Sequence, residues 1–107
     1  MKTFKLENFT RGWIVGDFEP SIIKTKYFEV AVMYFKKGDK GDKHFHKIAE
    51  EITVITSGVF KINNQIFKAG DVILLNQNEV YEEECLEDGS QTVIKTPSTK
   101  NDKFLVN

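Results

Sequence analysis

The chain has 107 residues, of which 40% are hydrophobic, 12% aromatic and 29% charged. This composition is too apolar for a disordered chain and predicts one compact domain spanning residues 1–107. Lys and Arg number 15 against 16 Asp and Glu, for a formal net charge of -1, which argues against nucleic-acid binding because phosphate recognition normally needs a basic excess.

Cysteine content and hydropathy predict the compartment. Cys85 is the only cysteine, so no disulfide can form within the chain and a reducing environment is expected. The N-terminal MKTFKLENFTRGW lacks the apolar core of a signal peptide, and no apolar run approaches the ~20 residues needed to cross a bilayer. We therefore expect a cytoplasmic protein with no membrane partner.

The predicted secondary structure is all β. Short β-prone runs alternate with turn residues, and no long helical period is present. In residues 27–36 both alternating faces are largely apolar, which predicts a strand buried on both sides, and Asn63-Asn64 predicts a two-residue hairpin. Many short strands in so few residues favour a closed barrel or a sandwich. The predicted strands are 3–9, 12–18, 27–36, 43–47, 51–57, 59–62, 65–68, 72–75, 80–86 and 91–96.

A histidine pair is the strongest candidate for chemistry. His44 and His46 are two residues apart, so on a strand their imidazoles leave the same face and could converge on one ion. Glu50 or Glu51, at the head of the next predicted strand, could add a carboxylate. Two imidazoles and one carboxylate suit Fe(II), and Zn, Mn, Ni or Co can occupy similar sites. The alternative is a pair of surface histidines without a ligand role.

The spacing around this pair matches a known family. Residues 38–58 read GDKGDKHFHKIAEEITVITSG, and this segment resembles the first signature motif of the cupin superfamily, G(X)5HXH(X)3-4E(X)6G, at every fixed position. The resemblance implies a jelly-roll barrel, also called a double-stranded β-helix, with a metal bound inside it. It also selects Glu51 over Glu50 as the third ligand and suggests a homodimer.

The second cupin motif, G(X)5PXG(X)2H(X)3N, is altered. The segment GDVILLNQNEVYEEEC begins at Gly70, but Asn76, Asn78, Tyr81 and Cys85 replace Pro, Gly, His and Asn. Tyr81 therefore stands where the family has its third histidine ligand, and a neutral phenol is a poor ligand unless a cation lowers its pKa. Three outcomes stay open: water completes the metal shell, Tyr81 or a nearby glutamate (Glu79, Glu82 or Glu83) completes it, or the pocket holds no metal.

Three further features have a structural and a functional interpretation. We expect the run Glu82–Glu84 to be a solvated edge, because neighbouring strand residues alternate faces. Cys85 is expected to be buried and inert. Lys95 could contact an anionic substrate, but an outward-pointing lysine is the more common arrangement.

Two functional hypotheses follow. In the first, a divalent metal held by His44, His46, Glu51 and, if it ligates, Tyr81 serves an enzyme that acts on a small oxygen-bearing, carbohydrate-derived molecule. Dioxygenases and sugar isomerases or epimerases are the enzyme classes that the resemblance implies. In the second, the altered motif belongs to a non-catalytic module that binds or senses a small molecule.

Overall fold

The computed structural model describes residues 1–107, and about half of these residues lie in strands. The two 3-10 turns are Leu6–Asn8 and Thr10–Gly12. The nine strands are β1 Trp13–Gly16, β2 Ile23–Lys24, β3 Glu29–Phe35, β4 His44–Phe45, β5 Glu50–Ile62, β6 Gln65–Lys68, β7 Val72–Leu75, β8 Glu83–Thr96 and β9 Phe104–Leu105. No helix is both long enough and apolar enough to span a membrane.

Seven of the strands form one sheet. Its order is β2-β1-β3-β8-β5-β6, and β7 also pairs with β5. The remaining strands, β4 and β9, pair with each other. An isolated antiparallel bridge joins His44 of β4 to Tyr81, just before β8. The histidine-bearing strand is therefore held between the C-terminal strand and the segment that carries Tyr81.

The two longest strands, β5 and β8, each combine two strands that the sequence predicts separately. Their pairing slips at three places between Ile55 and Phe60, where the strands bend and continue to the other side of the barrel. Gly58 has φ +82°, and a Cβ there would approach the carbonyl oxygen of Asp88 to 2.6 Å. The backbones cross too closely at this bend for a residue with a side chain.

Alternation along the strands separates a packed interior from an outer face. Phe60 is fully buried and packs edge-to-face on Phe35, with ring centroids 5.2 Å apart. In β3 the inward residues Glu29 and Ala31 are buried, whereas Tyr34 is 76% exposed. The prediction that both faces of residues 27–36 are buried is therefore wrong for part of the strand. The main apolar cluster comprises Ile55, Phe60, Ile62, Leu75, Tyr81 and Cys85.

The predicted turn between β5 and β6 is confirmed, but the secondary structure at the two ends of the chain differs from the prediction. Asn63 and Asn64 both have positive φ, at 48° and 65°, which confirms the two-residue hairpin between β5 and β6. Residues 3–9 are not a strand: they include the 3-10 turn Leu6–Asn8. Strand β9 was not predicted, because its two residues form a strand only by pairing with β4.

Candidate functional site

The predicted site residues line one open cleft. His44, His46, Glu51 and Tyr81 all contribute to a cleft of about 1570 Å³. Glu51 is 9% and Tyr81 7% exposed, whereas the two histidines are half-buried. Glu50, the alternative carboxylate, is exposed. Alternation of β5 thus turns Glu51 inward and Glu50 outward, as the motif spacing predicts.

The two imidazole rings lie edge-to-face. Their ring centroids are 5.2 Å apart and their planes are nearly perpendicular, at 89°. His44 Nδ1 lies 2.6 Å from the backbone carbonyl of Asp42. Because a carbonyl oxygen can only accept, Nδ1 must carry the proton, which leaves Nε2 with a free lone pair.

Burial keeps both imidazoles neutral. It lowers the pKa of His44, although the hydrogen bond to Asp42 acts in the opposite direction. It also lowers the pKa of His46 to about 4, and the positive charge of Lys95 adds to this effect. Neutral imidazole is the form that binds a metal ion.

Glu51 and Glu83 form an acidic wall beside the histidines. Burial raises the pKa of Glu51 to about 7; Lys95 offsets part of this effect, and Glu83 and Glu29 add to it. Glu83 is 9% exposed, and its carboxyl group accepts hydrogen bonds from Gln91 Nε2 and the Tyr81 hydroxyl. The prediction of a solvated edge is therefore wrong for Glu83, which points into the cavity.

Tyr81 is held as a neutral phenol. Its backbone exchanges two hydrogen bonds with His44, of 2.7 and 3.0 Å, so the two side chains lie on one surface of the cavity with ring centroids 5.5 Å apart. Burial and the neighbouring Glu83 raise the pKa of the Tyr81 hydroxyl above its usual value. Without a cation beside it, this residue is a hydrogen-bond donor.

Lys95 points into the cavity, so the expectation of an outward lysine is wrong. Its Nζ lies 3.2 Å from Glu29 Oε1, and the two side chains are 13% and 9% exposed. Strand pairing places Glu29 and Glu51 on either side of Lys95. The ammonium also lies 5.7 Å from the centre of the Trp13 ring.

Two imidazoles and a carboxylate, from His44, His46 and Glu51, are donor groups that suit a divalent ion. An imidazole nitrogen binds at about 2.0–2.1 Å, so two rings that share an ion tetrahedrally have centroids ~5 Å apart, close to the 5.2 Å between His44 and His46. A cation would also compensate the acidic wall. As the side chains lie, however, no three of the His, Cys, Asp and Glu residues form a group that could hold a metal ion.

Asp102, near the C-terminus, holds the loop that follows the histidines through hydrogen bonds to its backbone. Its carboxylate accepts hydrogen bonds from the backbone N–H groups of Lys47, Ile48 and Ala49, at 2.9–3.2 Å. Burial opposes its ionisation, but these N–H groups outweigh burial and lower the pKa of Asp102. The C-terminal segment therefore holds the loop after the histidines and also pairs with β4.

Sequence reasoning did not single out several polar side chains of the cavity. Strand parity could have indicated them: Gln91 and Lys95 lie on the same face of β8, and Thr53 lies on the same face of β5 as Glu51. The missing signal was which face of each strand is interior. The residues concerned are Glu29, Thr53, Gln91 and Asp102.

Comparison with known proteins places the chain among double-stranded β-helix proteins. An uncharacterized conserved protein with this domain from Klebsiella pneumoniae superposes with a TM-score of 0.72 at 18% identity, covering 98% of this chain and 91% of that one. An RmlC-like cupin from Shewanella frigidimarina gives a TM-score of 0.67 at 18% identity, covering 72% of each chain. No protein-family model matches the sequence.

A sequence relative establishes the family. The pectin degradation protein KdgF of Dickeya dadantii is 34% identical over 77 residues, which is 68% of this chain and 69% of the relative. Together with the fold, this similarity shows that the chain belongs to the cupin superfamily.

Proposed function

We propose that this cupin binds a divalent metal ion through His44, His46 and Glu51 and acts on a small, oxygen-bearing molecule derived from carbohydrate. The observation that carries the proposal is the pair of imidazoles, with ring centroids 5.2 Å apart, lining the same cavity as the buried carboxylate of Glu51. The similarity to a pectin degradation protein supports the carbohydrate part.

The cavity suits a small molecule in size and lining. Its volume of about 1570 Å³ exceeds the ~300–1,000 Å³ common for small-molecule sites, which leaves room for a sugar. A bound divalent ion would supply Lewis-acid polarisation of a ligand oxygen. Glu51 and the Tyr81–Glu83 pair would then hold or move protons at the oxygens of the ligand.

Each proposed ligand has a defined part in binding. His44 would present Nε2, because its Nδ1 proton is engaged by the Asp42 carbonyl. Glu51 would be the anionic ligand, and bound metal would favour its ionised form. Tyr81 would ligate only if the metal lowered the pKa of its phenol; otherwise it stays a hydrogen-bond donor to Glu83.

Elemental analysis tests the proposal. Protein purified without chelators or a metal-affinity tag, then incubated with Fe, Mn, Ni, Co or Zn and desalted, should retain one ion per chain. His44→Ala and Glu51→Gln should each weaken retention by at least about 100-fold, because each removes a ligand. Glu50→Gln is the matched control: it removes the neighbouring carboxylate, which faces outward, and should leave metal content unchanged. Retention of a full equivalent by His44→Ala would contradict the assignment.

The second candidate is a metal-free binding module. It is favoured by Lys95, whose ammonium already supplies a positive charge between Glu29 and Glu51. Wild-type protein that takes up none of the five metals and still binds a sugar would establish this candidate in place of the first.

A further inference from the structure

The outer face of the large sheet carries an unbroken row of apolar side chains. Residues that pair across strands point to the same side of a sheet, and neighbours along one strand point to opposite sides. Ala31, Val93 and Thr53 are buried inside the barrel, so the row next to them points outward. Its members pair in succession across β2, β1, β3, β8, β5 and β7, and they are Ile23, Val15, Val30, Ile94, Ile52 and Leu74.

A second outward row runs beside the first, two residues away along each strand. Its members on β3, β8, β5 and β7 are Val32, Thr92, Val54 and Val72. No residue of the two rows is buried, and Ile23, Leu74 and Val72 are 59%, 53% and 63% exposed. None of these side chains is charged, and Thr92 is the one polar member. We call the two rows together the apolar face.

The lack of charge is confined to this part of the sheet. When one side of an antiparallel sheet packs on the interior, the other side normally carries polar residues. Strands β5 and β8 show that ordinary arrangement beyond their bend, where outward Lys61 pairs with Glu84 and with Ile66. Before the bend, the outward residues of the same two strands belong to the apolar face. In a chain with 29% charged residues, such a face indicates a surface that is covered when the protein is at work.

The apolar face has the size and the border of the centre of a protein interface. Each outward position of a sheet occupies about 4.8 by 6.8 Å, so the two rows cover about 330 Å² of the sheet plane. Polar residues border them, with the exposed pair Glu50 and Thr96 on one side and exposed Thr56 and Ser57 on the other. A stable interface takes roughly 800 Å² from each partner, with an apolar centre and a polar rim. The apolar face and its border fit that description.

From these observations we infer that two copies of this chain pack through the apolar face, sheet against sheet, as a homodimer. In a two-fold dimer the centre of the patch meets the same patch of the partner, and an uncharged face meets itself without opposing like charges. A partner recognised through charge would find no group to pair with. Apolar sheet faces pack on one another about 10 Å apart. Glu51 and Thr53 line the cavity on the other side of the same sheet, so the inference is independent of the proposed function.

Analytical ultracentrifugation of the full chain tests whether the dimer exists. At a protein concentration of about 10 µM or more, we expect twice the mass of the 12.3 kDa chain. The melting temperature should also rise with protein concentration, because association stabilises the folded state by mass action. Sedimentation as a 12.3 kDa monomer at about 100 µM would overturn the inference, since the apolar face would then be open or meant for a different partner.

Ile52→Lys tests which surface the dimer uses. Ile52 lies between Ile94 and Leu74 in the first row, and the substitution places one ammonium from each copy in the centre of the interface. The dimer dissociation constant should rise at least about 100-fold. Ile66→Lys is the matched control: Ile66 is 60% exposed and points outward beyond the bend, beside Lys61, so dimerisation should not change. A folded Ile52→Lys that dimerises as tightly as the wild type would refute the assignment of the surface.

Val72→Lys decides the question if Ile52→Lys does not fold, which circular dichroism will show. Val72 is 63% exposed on the short strand β7, so in the monomer a lysine there extends into water and should not disturb folding. In the dimer it lies in the second row, and the dissociation constant should rise about tenfold. An unchanged constant in Val72→Lys would equally overturn the inference. Metal content measured on the same samples should match the wild type, so failure of the dimer is distinguishable from failure of the proposed function.

Discussion

Replacing Asp102 by alanine should destabilise the protein and loosen the loop after the histidines. The wild-type carboxylate is 4% exposed and accepts backbone hydrogen bonds from three consecutive residues, Lys47 to Ala49. Alanine removes every one of these acceptors. The strand β4, which carries His44, is then fixed to β9 by its two-residue pairing and by the stacking of Phe45 on Phe104.

The size of the effect can be worked from the exposure of the three donors. Lys47 and Ile48 are exposed, so water can replace the carboxylate there at little cost. Ala49 is 2% exposed, and its N–H would be left without a partner. One hydrogen bond to a charged group contributes about 1.5–3 kcal/mol, so we expect a loss of about 2–3 kcal/mol for Asp102→Ala. For a chain of this size that corresponds to a fall in Tm of roughly 10–15 °C.

Urea denaturation followed by Trp13 fluorescence and by circular dichroism measures this loss. Asp71→Ala is the control, because the Asp71 carboxylate caps one exposed turn through the N–H of Lys68 at 2.8 Å, and it should cost less than about 1 kcal/mol. The pH dependence has a defined sign. Since the folded-state pKa of Asp102 is lowered, its contribution is present above the unfolded value near ~3.9 and is lost as pH falls through the folded value. An effect below about 1 kcal/mol at pH 7 would refute the reasoning.

Three further predictions concern the core and the cavity charges. Phe60→Ala removes a fully buried ring that packs on Phe35. It should lower the free energy of unfolding, measured by urea denaturation, by about 3–5 kcal/mol, and a loss below about 2 kcal/mol would contradict the packing. Lys95→Met leaves Glu29 buried without its partner and should lower the free energy of unfolding by about 3–5 kcal/mol. The double variant Lys95→Met with Glu29→Gln should recover a large part of that loss. If the effects of the two single changes simply add, the pair is not coupled. The pKa of Glu51 is raised from 4.5 to about 7, so its ionisation opposes folding, and metal-free wild type should lose stability as pH rises from about 4.5 to 7. Glu51→Gln should remove this part of the pH dependence. Identical profiles of stability against pH for the variant and the wild type would contradict this reasoning.

Local sequence patterns predicted a good part of the fold. The runs 65–68 and 72–75 coincide with β6 and β7, and Asn63-Asn64 forms the expected turn. Turn chemistry and short-range alternation depend on neighbouring residues, so the sequence carries them directly. The strands that merged into β5 and β8 did so because each crosses a bend at a glycine contact, Gly58 against Gly89, and glycine in isolation is as consistent with a loop.

The same distinction between local pattern and tertiary structure applies to the candidate site. His44, His46 and Glu51 could be named from their spacing, since strand parity and one motif fix which side chains share a face. The burial of Glu83 and Lys95 could not be predicted, because a charged residue in a strand is normally solvent-exposed. Both are buried here since the barrel closes over their face and supplies partners, Gln91 for Glu83 and Glu29 for Lys95.

By itself, the sequence determined the all-β class, the hairpin and the shared cavity of His44, His46 and Glu51, because each of these depends on period, turn chemistry or spacing within a short segment. Only the tertiary structure decided which face of each strand is interior. It thereby turned Lys95, Glu83 and Thr53 into the cavity and brought Asp102 from the C-terminal segment to the loop after the histidines. Those outcomes depend on how distant strands pair, and pairing is set by the closure of the whole barrel.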